Sequence, residues 1–397
     1  MSTQAARNIR LTHNSQQRSF RLLELTPEIA ELLSSDNAPV LHLKSSPSDP
    51  SAQNTAYVNL CTPDKTFRIR QVQSSNSIHL IQPSTGENSR VVPLKQQKEK
   101  ENDGLNEEWA DTVSTVAKSQ STLEVHALEE GGASVTQMLA QGLRVYGSED
   151  QEDVDMADSN RREEVVTRAE REGAKKKVIA DVPFSEAECN AAWTDICAFV
   201  HVDTESNNNV AAFRPSARMK IDAWKRILQG SVLQSIDLEK QFLANDLWKA
   251  VLGDDDDGEE EEPFPRPLFD ALLNRLVEKT GSQPLELKWS NLDKDASIKW
   301  IGETYLEAFA PVERSAIGRS EFLRAWKDLL PEAWRDAASL DVLPANSYKS
   351  PDPVSICFVK ESERHKLKKA GEGATGAGAA TTKNSRNWHE RFRSQRK

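Results

Sequence analysis

Apolar and polar positions alternate with a period of two between residues 40 and 128, and switch to helical spacing from residue 183 onward. Val40-Leu-His-Leu-Lys44 places Leu41 and Leu43 on one face, and Tyr57-Val-Asn-Leu-Cys61 does the same with Val58 and Leu60. Phe67-Arg-Ile-Arg70, Ser77-Ile-His-Leu-Ile81 and Thr122-Leu-Glu-Val-His-Ala127 continue the series as short strands broken by turn residues. Ahead of them, Thr26-Pro27-Glu28 predicts a helix start, with Thr26 as N-cap and Ile29, Leu32 and Leu33 on one face. Five strands and one helix make a small sheet with open edges, and open edges invite pairing. A barrel closed by strands of another subunit and a barrel closed on itself both satisfy the pattern.

Residues 148–177 are charged and poor in large apolar side chains, which predicts a linker, in part helical. Ser185-Glu-Ala-Glu188 has the form of a capping box, followed by Cys189, Trp193, Ile196, Cys197 and Val200 at helical spacing. Ile221, Trp224 and Leu228 mark a second helix, closed by Gly230. Leu238, Phe242, Leu247, Trp248, Val251 and Leu252 mark a third region ending at Gly253. Eight acidic residues between Asp254 and Glu262 then form a linker. Beyond it come a helix from Leu268 ended by Gly281, an alternating Leu285–Trp289, helices through Ile298–Phe309 and Phe322–Leu329, and a last strand at Val354–Val359. The fold class expected is α+β. The boundaries are 1–146 for a β-rich domain, 147–182 for a charged linker, 183–253 for a helical unit of small-bundle size, 254–262 for an acidic linker, 263–360 for a second unit whose helices and short strands suit a winged-helix domain and many other small α+β folds, and 361–397 for a basic low-complexity tail.

With 51 Lys and Arg against 62 Asp and Glu in 397 residues, the formal charge of −11 argues against bulk binding of nucleic acid. The charge is segregated, however. Residues 360–397 hold eleven Lys or Arg against four Glu, so they carry +7 and the remainder −18. Four scattered cysteines (Cys61, Cys189, Cys197, Cys357) provide neither a disulfide framework nor a zinc-finger spacing. No signal peptide is expected at the start, and no apolar run reaches 18 residues, so a soluble intracellular chain is expected.

Catalytic motifs are missing: no phosphate loop, no His-Glu-x-x-His, no Cys-x-x-Cys. Gly371-Glu-Gly373-Ala-Thr-Gly376 matches a dinucleotide fingerprint in letters only, since it follows no strand and opens no helix. No cofactor or metal is expected, and no enzymatic activity. His42, His79 and His126 read as solvent-facing strand residues, and Trp193, Trp224, Trp248, Trp300 and Trp326 as core. Arg214, Arg218, Lys220, Lys225 and Arg226 fall within thirteen residues, opposed only by Asp222, and form a candidate DNA-binding face; a solvated helix surface is the alternative. In the tail, Arg386, Arg391, Arg393, Arg396 and Lys397, with Trp388 and Phe392, form a second candidate, against a plain solvated tail.

Phe20-Arg-Leu-Leu-Glu-Leu25, Leu60-Cys-Thr-Pro-Asp-Lys-Thr-Phe67 and Arg70-Gln-Val-Gln-Ser-Ser-Asn-Ser77 together resemble a protein family named for defects in sister chromatid cohesion, in a fungal form. Pro183-Phe-Ser-Glu186, Ile236-Asp-Leu-Glu-Lys-Gln-Phe242 and Phe322-Leu-Arg-Ala-Trp-Lys-Asp-Leu-Leu-Pro-Glu332 extend the resemblance to most of the chain. The resemblance implies an N-terminal β-barrel-like domain completed by partner subunits, followed by tandem winged-helix domains at 183–253 and 263–360, in a non-catalytic subunit of an alternative replication-factor-C clamp loader in the nucleus. Its partners would be the large and small chromosome-transmission-fidelity subunits, the catalytic subunit of DNA polymerase epsilon, DNA (single- or double-stranded, weakly bound) and, indirectly, the sliding clamp, with no membrane. Phe20, Leu22, Leu23, Leu25, Cys61, Lys65, Phe67, Arg70 and Asn76 become candidate partner-binding residues, with structural roles as the alternative for each. The family commonly carries a third winged helix; Asn387-Trp-His-Glu-Arg-Phe-Arg393 resembles its first helix, and the third unit is expected to be truncated or absent. The competing reading is a DNA-independent winged-helix scaffold of another chromatin complex, to which the 31 acidic against 19 basic residues of 183–358 lend weight.

Overall fold

The computed structural model describes residues 10–18, 20–45, 58–83, 112–128, 134–147, 167–203, 209–253, 262–278, 289–344, 346–361 and 363–364. The architecture is α+β, and the chain divides into two compact units. The first comprises residues 1–129 with 183–187, the second 130–182 with 188–397.

The first unit is a six-stranded sheet with one helix. Its strands are β1 (Arg10–Arg18), β2 (Leu22–Glu24), β3 (His42–Ser45), β4 (Val58–Cys61), β5 (Thr66–Pro83) and β6 (Thr112–Ala127), with α1 (Pro27–Leu33) between β2 and β3. The strand order is β1-β6-β5-β4-β3, and β2 also pairs with β6. β3, β4, β5 and β6 pair antiparallel in sequence, whereas β1 and β2 both run parallel to β6. No closed barrel forms among the described residues.

Two expected strands merge. Phe67–Arg70 and Ser77–Ile81 belong to one 18-residue strand, β5, which pairs with β6 through Gln73 and again from Ile78. Two register shifts absorb the irregularity, after Gln73 and after Leu80. The core of this unit is small: Ile29, Leu60, Phe67 and Val125, with Leu25, Leu41 and Ile69 packed against them. α1 starts where expected, but Thr26 makes no cap bond and its buried Oγ1 has no partner; Leu33 is exposed.

The second unit begins with α2 (Val135–Gly142) and β7 (Arg144–Tyr146). Next come α3 (Arg168–Asp181), α4 (Glu186–Asp195), the pair β8 (Phe199–Asp203) and β9 (Asn209–Pro215), then α5 (Ala217–Leu233). It continues with β10 (Phe242–Leu243), α6 (Ala244–Leu252), α7 (Arg266–Leu276), β11 (Trp289–Ser290) and α8 (Lys294–Phe309). β12 (Ile317–Gly318), α9 (Arg319–Asp328), β13 (Tyr348–Lys349) and β14 (Ser355–Phe358) complete it. Three small sheets result, ordered β7-β9-β8, β10-β11 and β12-β14-β13. The stretch read as a charged linker carries α3, opened by a capping box in which Thr167 Oγ1 accepts from the Glu170 N–H and the Glu170 carboxylate accepts from the Thr167 N–H.

One apolar core runs from Cys197 to Cys357 through both stretches expected to be winged-helix domains. Trp224 and Trp326 are fully buried, and each indole N–H is satisfied, donating to Leu329 O (2.8 Å) and Ile298 O (3.0 Å). Gly230 does not close its helix as expected. α5 continues to Leu233, and Gly230 sits where α6 crosses, since a Cβ there would lie 2.9 Å from the Ala250 carbonyl. No helix among the described residues is long and apolar enough to cross a membrane.

Candidate partner-binding sheet and basic surface

The sheet of the first unit is strapped across β3, β4 and β5 and carries exposed apolar residues besides. Residues 183–187 return across more than a hundred residues of sequence as the strap. Asn59 Nδ2 donates to Pro183 O (2.7 Å) and Lys44 Nζ to Phe184 O (2.9 Å). The Ser185 N–H donates to Thr66 Oγ1 (2.6 Å) and the Ala187 N–H to Pro63 O (3.1 Å). Phe184 and Ser185 are buried by this contact. Four bonds in five residues satisfy the backbone of a segment with no secondary structure at its start, as burial requires.

Other positions of the sheet are uncovered. Among the described residues the edge strand β3 pairs only with β4; within it Leu43 is 67% exposed, and just ahead of it Val40 is 73% exposed. Along the far half of β5, Ile78, Leu80 and Ile81 are exposed as well, Ile81 to 57%. Leu23 and Val58 are exposed too; isolated exposed apolar residues are ordinary, but a group of them around a small sheet with open edges marks a candidate docking face.

The residues singled out by resemblance fall into three groups. Leu25, Cys61 and Phe67 lie inward: Cys61 and Phe67 are buried, and Leu25 packs on the core. Phe20 and Leu22 are half-buried, while Leu23, Arg70 and Asn76 are exposed. Lys65 is exposed but paired, its Nζ 2.5 Å from Glu28 Oε1. That hydrogen bond, and then the carboxylate's charge, raise its pKa above the ordinary lysine value. Of the uncovered apolar residues of the sheet, Leu23 is in the motif set, whereas Val40, Leu43, Val58, Ile78, Leu80 and Ile81 are not. Their only sequence signal is an apolar strand face with too little helix in the same stretch to cover it.

The basic cluster in the second unit is largely engaged within the protein. Arg214 Nε donates to Ala140 O (2.9 Å). Lys220 lies half-buried with its Nζ 3.7 Å from Glu307. Asp222 sits between Arg218 (3.5 Å) and Lys225 (3.2 Å), and the Arg218 guanidinium stacks 4.5 Å over Phe309. Arg226 is exposed, with no ion pair among the described residues. The helix face thus presents Arg218, Lys225 and Arg226, with Asp222 offsetting part of their charge. Arg386, Arg391, Arg393, Arg396, Lys397 and the glycine run at 371–376 lie outside the described residues.

All four cysteines are buried, and none forms a disulfide. Burial pushes the Cys197 thiol up to about 11, the opposite of what a nucleophile or metal ligand needs. The imidazoles of His42, His79 and His126 are exposed, and His126 lies 3.2 Å from Glu124.

A search of curated proteins returns no match. A family profile described as sister chromatid cohesion protein Dcc1 matches residues 20–363. The match begins at the Phe20 motif, runs through the strap, and ends just beyond β14. The chain is therefore a member of the Dcc1 family of sister chromatid cohesion proteins.

Proposed function

We propose that this chain is a non-catalytic subunit of an alternative replication-factor-C-like clamp loader, acting in the nucleus to load or unload the sliding clamp while cohesion is established. The observation that supports this reading is the open sheet of the first unit, with β3 paired on one side only among the described residues and Val40, Leu43, Ile78, Leu80 and Ile81 uncovered. In this reading the large and small chromosome-transmission-fidelity subunits add strands to those edges, cover the apolar residues and complete a barrel. Main-chain pairing would supply affinity, and the side chains would supply register. The stretches 183–253 and 263–360 act as winged-helix domains linking the loader to the catalytic subunit of polymerase epsilon and to DNA. Each offers helices followed by short strands: α5 with β10 and α6, and α9 with the β12-β14-β13 sheet.

The test is co-expression of the full chain with both partners, followed by size-exclusion chromatography. A 1:1:1 complex that is lost in the triple variant Ile78→Lys, Leu80→Lys, Ile81→Lys supports the reading. A wild-type chain that elutes alone overturns it.

A second reading, a DNA-independent scaffold of another chromatin complex, is favoured by the acidic partners Asp222 and Glu307, which occupy three of the five basic residues. The two readings part on whether DNA binding depends on Arg218, Lys225 and Arg226.

A further inference from the structure

The loop between β13 and β14 exposes five consecutive residues, 350–354, and begins with the step Ser350-Pro351. Of the three Ser/Thr-Pro steps among the described residues, it alone offers its hydroxyl to solvent. Thr26 Oγ1 is buried, and Thr62 is buried with its hydroxyl bonded to Lys65. Pro351 has a fixed φ and no N–H, and it biases Ser350 toward extended backbone. That is the shape a proline-directed protein kinase accepts.

Beside Ser350 stands an incompletely used guanidinium. Arg319, the first residue of α9, donates from Nη2 to Ser350 Oγ (2.8 Å). Its Nε is shielded from solvent and has no acceptor. The backbone holds the two residues together, since the Arg319 N–H donates to Val354 O (2.8 Å) at the far end of the same loop. Asp352 is the nearby opposing charge. Its Oδ1 is turned back into the loop, accepting from the N–H groups of Val354 (2.9 Å) and Ser355 (2.8 Å). Lys349, next in sequence, is 2.8 Å from Glu313.

We infer that Ser350 is a phosphoacceptor for a proline-directed kinase and that Arg319 captures the phosphate. In the transfer, Ser350 Oγ attacks the γ-phosphorus of a nucleoside triphosphate. The new O–P bond forms as the bond to the β,γ-bridging oxygen breaks, the nucleoside diphosphate leaves with that electron pair, and the hydroxyl proton passes to the kinase's base. The product adds about −1.5 to −2 charge and three acceptor oxygens. Two of those oxygens match the parallel Nε–H and Nη–H donors of Arg319, a bidentate pairing that a neutral hydroxyl cannot provide. Phosphorylation therefore fastens the β13–β14 loop to the start of α9.

The test uses the full chain, ATP and a cyclin-dependent kinase with its cyclin as the probe enzyme. Peptide mass mapping should find phosphate on Ser350 and none at that peptide in Ser350→Ala. In a ³¹P titration, the phosphate's second pKa should lie below the ordinary value of about 6, return to it in Arg319→Gln, and fall between the two in Arg319→Lys. Phosphate appearing at Ser46-Pro47 but not at Ser350 overturns the inference. So does a phosphoserine that titrates identically with and without the Arg319 guanidinium.

Discussion

Replacing Thr66 by Val keeps the side-chain shape and removes one hydroxyl, the acceptor of the Ser185 N–H at 2.6 Å. Ser185 is 1% exposed, so water does not readily replace that acceptor. Taking away the partner of a buried N–H costs about 1–3 kcal/mol. The other strap bonds remain: Asn59 to Pro183, Lys44 to Phe184 and Ala187 to Pro63. The loss is therefore local, and amide hydrogen exchange is the right assay, because a chain of two compact units need not unfold in one step. In exchange terms, 1–3 kcal/mol corresponds to amides of 183–187 opening about 5- to 150-fold more often. Asn59→Ala removes a second strap bond, and the double variant should depart from the sum of the two, since both act on one segment. Unchanged exchange at 183–187 in Thr66→Val refutes the strap's role in holding the sheet.

Other outcomes follow from the second unit. In Gly302→Ala the new methyl would sit 2.5 and 2.7 Å from the Trp326 ring, and 3.0 Å from Leu343 Cδ2. The buried, bonded indole has little room to yield, so a loss of about 1–3 kcal/mol and a lower Tm are expected; an unchanged Tm contradicts the packing. Cys197 is raised from 9.0 to about 11 by burial, so between those values the folded chain retains a proton that the unfolded chain releases. Stability should fall as pH rises from 9 toward 11, less steeply in Cys197→Ala, and equal slopes would refute the assignment. Charge reversal at Arg218, Lys225 and Arg226 should weaken DNA binding and flatten its salt dependence. Isotherms unchanged by the reversal across about 50–200 mM salt would remove that surface from consideration and favour the scaffold reading.

The helical half was legible in the sequence because its periodicity is strong and its tryptophans stand at core spacing. Trp193, Trp224, Trp248, Trp300 and Trp326 are all buried. The end of α5 was not, because Gly230 carries two physical meanings, helix stop and close approach, and only the crossing of α6 distinguishes them. α3 lies mostly in the charged stretch expected to be helical in part, and its Thr167-x-x-Glu170 signature marks where the helix starts. In the β half, alternation located the strands but understated β5, whose polar middle breaks the apolar pattern where the register with β6 shifts. The strap is a contact over 119 to 140 residues of sequence, and no local pattern encodes it. Among the site residues, resemblance pointed to Cys61 and Phe67, which build the sheet. The exposed Leu43 and Ile81 stand out only once burial is known.

The claim that partner strands complete the sheet is tested most directly by hydrogen exchange on the full chain, alone and in complex with the two chromosome-transmission-fidelity subunits. The account predicts slowed exchange in the complex at β3 and in the far half of β5, where Ile78, Leu80 and Ile81 are uncovered in the single chain. A complex that forms while both segments exchange at their free rates would contradict it.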